Sequence, residues 1–348
     1  MEGHRDDLTR INYQEGMGDM RDKADRLQKL TEAIGKAGIS TAEEAADADR
    51  AAFLSKSDLA TGMVTEFTEL QGEMGKEYTL LDGEKPEVAQ AIFEQYMPRF
   101  AGDILPQQEI GRALSLADKL DNLAATFLRG LIPTGSQDPF ALRRQTIGAV
   151  NILIDGKIHW DIRRGIEAAL ALLPGDEETK KTVLSQIEDF FRQRIKAIML
   201  DEGIAYDIID AVLAGPVDDI YALFLKARSM AESQLKGEAE LRQAVTRLAN
   251  ITKGKAGGKV DPSLFTEDVE KKLQDAFEAV SAKALPLFAS YEYGKALPAL
   301  KKLTAPINDY LDNVMVMVDD EAVKNNRISQ LLATLALFNT WGDFSKLV

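Results

Sequence analysis

The sequence predicts an all-α protein. Apolar residues recur at helical spacing in nearly every segment, and strand-like alternation is confined to short stretches, the nearest being NVMVMVDD at 313–320. Breakers rich in Gly, Pro and Asp separate the helical segments. Even NVMVMVDD reads equally well as buried helix.

The first helices are expected at 19–36, 41–54 and 57–66, before the breaker DGEKP at 82–86. Helices at 86–97 and 107–128 follow, ended by IPTGSQDP at 132–139. There Asp138 suits an N-cap, and Pro139 a first turn whose N–H would be unsatisfied anyway, opening a helix at 139–154. Helices at 160–173 and 176–200 flank LPGDEE at 173–178. Next come helices at 204–213, 217–234 and 237–251, then KGKAGGKVDP at 253–262. Helices at 266–288, 294–318 and 325–340 complete the chain. There is no internal repeat. Divisions near 131–138 and 235 give three expected parts, 1–131, 132–235 and 236–348, in keeping with a chain of 348 residues.

Composition narrows the function. Hydrophobic residues make up 45% and charged residues 28%, enough apolar side chain for real cores. No run of eighteen apolar residues is present, and MEGHRDDLTRINYQEG has no apolar core of the kind a signal peptide needs. With no cysteine, disulfides, thiolate nucleophiles and zinc–thiolate sites are all excluded, and a cytoplasmic protein is expected. His4 and His159 are the only histidines, so a Ser-His-Asp or Cys-His centre has little to build on, and a structural role is expected for His159. Neither GxxxxGK[ST] nor GxGxxG occurs. No catalytic residue, cofactor or metal site is expected in this chain.

The net charge of −14 argues against nucleic acid, but it is regional. Residues 236–348 carry 15 basic and 15 acidic side chains, so the acidity lies upstream. In LRQAVTRLANITKGKAGGKV at 241–260, Arg242, Arg247, Lys253, Lys255 and Lys259 occur with no acid between them. At 100° per residue, Leu241, Ala244, Val245, Leu248 and Ile251 form an apolar face, with Arg242, Thr246, Arg247 and Asn250 opposite. A basic face followed by a flexible Lys/Gly loop suits contact with a phosphate backbone; a solvated helix face is the plainer alternative. On the helix from Pro139, Arg143 falls within the apolar arc of Phe140, Ile147, Val150 and Ile154, whereas Arg144 falls on the polar strip. Arg143 is therefore expected as a structural interdomain tie, to an Asp of the preceding domain, because an unpaired buried charge is costly. Arg144 is the better candidate for an external anion, though a surface ion pair is the plainer role.

ADRAAFLSKSDLATGMVTEF (48–67) and ALSLADKLDNLAATF (113–127) resemble the central and late helices of HD-domain proteins. In those proteins a His-Asp pair and a later Asp hold a metal that cleaves phosphate esters. Here the pair reads Ser57-Asp58, with Asp118 or Asp121 as the later carboxylate. Imidazole is what makes such a site bind transition metals well, so a metal-free relative is expected; the alternatives are a metal phosphohydrolase using Asp58 and Asp118 and a helical interaction scaffold that binds no RNA.

SKSDLATGMVTEFTELQGEMG (55–75), PRFAGDILP (98–106), LADKLDNL (116–123), GLIPTGSQDPFALRR (130–144), VMVMVDDEAVKNNRISQLLATLALF (314–338) and GDFSKL (342–347) together resemble the beta subunit of bacterial heterotetrameric glycyl-tRNA synthetase. That resemblance implies an HD-like helical domain at 1–131, a helical connecting region at 132–235 and a DALR-like anticodon-binding bundle at 236–348. It also implies an aminoacyl-tRNA synthetase subunit that binds and positions tRNA(Gly). Glycylation would use ATP and Mg2+ on a partner alpha subunit. Arg242, Arg247, Asn250, Lys253, Lys255, Lys259 and Arg144 become tRNA-contact candidates, and Ser57, Asp58 and Asp118 degenerate HD positions. The family's beta subunit extends further at its N-terminus than this chain.

Overall fold

The computed structural model describes residues 1–39, 41, 43–135 and 137–348, without the side chains of Gln234 and Lys236. Ser40, Ala42 in the expected second helix, Ser136 in IPTGSQDP, and the side chain of Lys236 at the start of the expected third part therefore lie outside the described residues. Among the described residues every named element is helical and β-bridges are isolated pairs, so the fold is all-α. By contacts the chain divides into residues 1–198 with 217–221, and residues 199–216 with 222–348. The segment 132–235 is shared between these two units.

The first unit holds α1 (Glu2–Arg5), α2 (Met20–Ile34), α3 (Ala45–Leu54), α4 (Gly62–Glu66), α5 (Glu73–Leu81), α6 (Pro86–Glu94), α7 (Glu109–Leu128), α8 (Leu142–Asp155) and α9 (Ile162–Ala171). Most of α10 (Glu177–Asp201) belongs to it as well. Its centre is α7, which packs against α2, α3, α6, α8 and α9. Leu114, Leu116, Leu120, Leu123 and Phe127 are all buried, and so are the charged side chains of Asp118, Lys119 and Asp121, so nearly every face of this helix lies inside the unit. The entry to α7 leaves backbone N–H groups needing acceptors. Buried Glu94 supplies them, accepting from Gln107 N at 3.1 Å and Gln108 N at 3.3 Å. Gly111 makes room for that carboxylate, since a Cβ there would stand 1.9 Å from Glu94 Oε2.

Three departures from expectation concern this unit, the first being that the helix expected at 57–66 is a 3-10 turn at Ser57–Ala60, an extended Thr61 and then α4. Helix α5 escaped the reading because Gly75, in its first turn, weakens its helical signature. The helix expected from Pro139 begins at Leu142, after a turn that ends with Ala141 at φ 53°. Asp138 still caps it: its two carboxylate oxygens accept from Leu142 N (2.8 Å) and Arg143 N (2.9 Å).

The second unit holds α11 (Tyr206–Val212), most of α12 (Ile220–Glu232), α13 (Ala239–Thr252), α14 (Asp268–Ala289), α15 (Leu297–Leu300), α16 (Thr304–Asn313) and α17 (Glu321–Asn339). Helix α13 packs on α16 and α17, and α14 on α15, α16 and α17. The helix expected at 294–318 is broken into 3-10 turns, α15 and α16. Pro298 and Pro306 each remove a helical N–H in that run. After α16 the chain leaves the helix, extended at Val314 and bent at Val316 and Met317, with Val314 and Val316 buried and Met315 and Met317 exposed at 74% and 53%. NVMVMVDD thus keeps a strand's alternation and is neither buried helix nor part of a sheet among the described residues.

A buried polar seam joins α14 to α17. Arg327 donates to both oxygens of Glu270 (3.0 and 3.2 Å), to Thr266 Oγ1 (2.7 Å) and to the Met315 carbonyl (2.8 Å). Near the chain's end, Trp341, Phe338 and Phe344 are fully buried, and Trp341 Nε1 donates to Ser229 Oγ at 2.9 Å.

Candidate nucleic-acid interface

At the degenerate HD positions, each carboxylate oxygen already has a use. Asp58 is fully buried; one oxygen accepts from Tyr96 OH at 2.9 Å and the other from Gly72 N at 2.7 Å. Gly72 is at φ 83°, and a Cβ there would press within 2.9 Å of the Tyr96 ring. Burial raises the Asp58 carboxyl above its usual range, partly offset by those hydrogen bonds. Asp118 meets two ammonium groups, Lys23 Nζ and Lys56 Nζ, each at 3.0 Å. Asp121 meets Lys23 at 2.8 Å and the Arg26 guanidinium at 2.6 Å. Burial by itself would raise Asp118, but Lys23, Lys56 and Lys119 outweigh it and hold the carboxyl well below its usual value. Ser57 Oγ is buried without a hydrogen-bond partner among the described residues.

Among the described residues, no group of three or more His, Asp or Glu side chains converges as a metal would require. Cations of the protein itself neutralise the late carboxylates. Sequence reasoning missed Lys23, Arg26 and Lys56. Asp118 and Asp121 are visibly one helical turn apart, but their partners lie some 60 to 100 residues away and leave no spacing signal. His159 pairs with Asp219 at 2.7 Å and lies 4.9 Å from the Tyr221 ring, an arrangement that holds the chain locally.

The two arginines of IPTGSQDPFALRR separate as their positions on the wheel suggest. Arg143 is half-buried, Arg144 exposed. The tie expected of the Arg143 side chain is made instead by the Asp138 cap; among the described residues its guanidinium makes no ion pair. Arg144 lines two clefts of the first unit. One, of about 550 Å3, includes Phe100, Asp103 and Ile147; the other, of about 230 Å3, includes Tyr96, Asp118 and Lys119.

On α13, Leu241, Ala244, Val245 and Leu248 are buried as the wheel predicts. Its arginines are less available than expected. Arg242 is half-buried and donates to the Leu347 carbonyl at 3.1 Å. Arg247 donates to Asn308 Oδ1 at 3.0 Å and pairs with Asp312 on α16. A helical wheel cannot reveal that α16 and the C-terminal residues cover this face. Asn250, Lys253 and Lys259 are exposed, and Lys255 lies 3.5 Å from Met317 Sδ.

The loop after α13, expected to be flexible, is fastened to α17. Gly258 N donates to Ser329 Oγ at 2.8 Å and Asp261 N to Asn326 Oδ1 at 2.7 Å. The Asn326 amide donates back to the Asp261 carbonyl at 2.9 Å. Cations on a fixed loop lose less conformational freedom on binding.

The second unit's bundle, with this cationic edge, belongs to a defined class: residues 241–342 match the family described as DALR anticodon binding domain. Residues 1–214 match the family described as Glycyl-tRNA synthetase beta subunit. Relatives called glycine–tRNA ligase beta subunit include one from Clostridioides difficile (strain 630), 42% identical over all of this chain and 51% of its own length. Another, from Desulforamulus reducens, is 39% identical over 98% of this chain and 50% of its own length. The chain belongs to the glycyl-tRNA synthetase beta subunit family, and it spans about half the length of the curated relatives it matches.

Proposed function

We propose that this chain is a tRNA-binding portion of a glycine–tRNA ligase beta subunit. It positions tRNA(Gly) for glycylation on a partner alpha subunit, which uses ATP and Mg2+, in the cytoplasm. Its contribution to catalysis is orientation and binding energy, with no reacting group of its own. The observation that carries this reading is the anticodon-binding family match over 241–342, the stretch that also holds the cationic edge. The engaged state of Asp58 and Asp118 weighs against a metal phosphohydrolase, because their oxygens already serve Tyr96, Gly72, Lys23 and Lys56. No helix among the described residues is long and apolar enough to cross a membrane, in keeping with a tRNA-binding role.

Within the proposed interface, Lys253, Lys255 and Lys259, with Asn250 beside them, are the primary contacts. Arg242 and Arg247 mainly hold the bundle together. Arg144 is the accessory candidate on the first unit. Replacing Lys253, Lys255 and Lys259 with Ala weakens tRNA binding and flattens the plot of log affinity against log salt by about two units, at roughly 0.7–0.9 per phosphate contact. A filter-binding titration across salt concentrations measures both; unchanged affinity with an unchanged slope contradicts the assignment.

A further inference from the structure

Helix α14 ends in a backbone motif that normally calls for glycine. Glu292 N donates to the Leu287 carbonyl at 2.8 Å and Tyr291 N to the Phe288 carbonyl at 3.1 Å, the paired bonds of a Schellman motif. The residue in its left-handed position is Tyr291, at φ 60°. A bulky L-residue there is strained, and such strain persists where the surroundings or a function demand it. Tyr291 is 37% exposed. It forms one wall of a groove of about 500 Å3 in the second unit, with Leu225, Arg228, Ser229, Glu232 and Lys295 around it. Behind it Tyr293 is buried, edge-on to Tyr291 at 6.4 Å and against Phe288 at 5.8 Å. The Tyr291 ring is thereby backed by packed aromatic side chains and set at a groove wide enough for a nucleoside.

We propose that this groove takes one unstacked nucleobase of the tRNA anticodon loop, its face against Tyr291 and its edge toward Glu232. This rests on the tRNA-binding reading above. Splayed loop bases are recognised in this way, by an aromatic face together with hydrogen bonds to the base edge. The exposed carboxylate of Glu232 is an acceptor, which favours a base bearing an amino group. Arg228, paired with Glu202 at 2.7 Å, and Lys295, paired with Glu292, line the groove, and contact with the adjoining phosphates exchanges those carboxylates for the RNA backbone. The groove lies apart in sequence from the lysines of 253–259, so the two features divide the work: the lysines supply affinity and the groove supplies discrimination.

The unusual backbone gives the test a clean form. Tyr291→Gly places in the left-handed position the residue that motif prefers, so the full chain keeps or raises its melting temperature while losing the stacking face. Binding is measured to an anticodon hairpin of tRNA(Gly) and to the same hairpin with abasic loop positions. Tyr291→Gly is expected to lower affinity for the intact hairpin about tenfold and to leave the abasic one unaffected, with Tyr291→Phe close to wild type. Equal affinity of Tyr291→Gly and wild type for the intact hairpin overturns the proposal and leaves the tRNA-binding reading standing. Loss on both hairpins also overturns it, as a sign of distorted structure. Failure of the wild-type chain to bind either hairpin or whole tRNA defeats the underlying reading instead.

Discussion

Lys119 lies within the cluster that surrounds Asp118, donating to the Met97 carbonyl and to Ser115 Oγ, both at 2.6 Å. Burial pulls its ammonium down to about 7, with Asp118 opposing and Lys56 assisting. The unfolded chain would hold that proton to the ordinary value of 10.5. Between these two pH values the unfolded state binds more protons, so Lys119 makes stability rise with pH by up to about 1.4 kcal/mol per unit. Lys23 is held above its usual range and stays charged throughout this window. Urea unfolding at pH 7 and 9 should therefore show wild type gaining on Lys119→Met by about 2 kcal/mol. A gap that does not move with pH contradicts the buried, neutralised lysine. Nothing in LADKLDNL announces this. The neighbours that set the environment of Lys119 come from α2, the turn before Ser57 and the chain at Met97, and they meet only once α7 is enclosed.

At the scale of elements, the fastening of the loop after α13 to α17 matters most for the interface. Asn326 forms two of its ties, an acceptor for Asp261 N and a donor to the Asp261 carbonyl. Asn326→Ala should release the 253–261 segment, speeding trypsin cleavage at Lys253, Lys255 and Lys259 while the rest of the bundle stays resistant. Cleavage at the wild-type rate contradicts the view that these bonds hold the loop. Much at this scale was legible. The buried face of α13 follows from the spacing of Leu241, Ala244, Val245 and Leu248, and the cap at Asp138 from its place before a helical run. What was not legible depended on partners remote in sequence: Arg242 is held by Leu347 and Arg247 by Asn308 and Asp312. The broken 294–318 run is a different failure. Its helical periodicity concealed the effect of Pro298 and Pro306, and the alternation that follows belongs to a non-helical segment pinned through the Met315 carbonyl.

At the scale of the molecule, the helical class was readable because periodicity and breakers agreed along the chain, while the partition into units was not. IPTGSQDP reads as a boundary, yet the residues on both sides of it pack in the same unit around α7 and α8. The contact of a loop with its own unit is a tertiary property, and Pro, Gly and Asp mark a turn without saying whether a domain ends there. The candidate interface was half legible: its lysines stood out against an acidic chain, while the groove at Tyr291 depends on a backbone conformation that no residue pattern displayed. The most direct test of the central claim is equilibrium binding of the full chain to a tRNA(Gly) transcript, to the same transcript with an exchanged anticodon, and to an unrelated tRNA. The account predicts binding to tRNA(Gly) that weakens with salt and falls at least tenfold when the anticodon is exchanged. Equal affinity for all three transcripts, or binding to none, would contradict it.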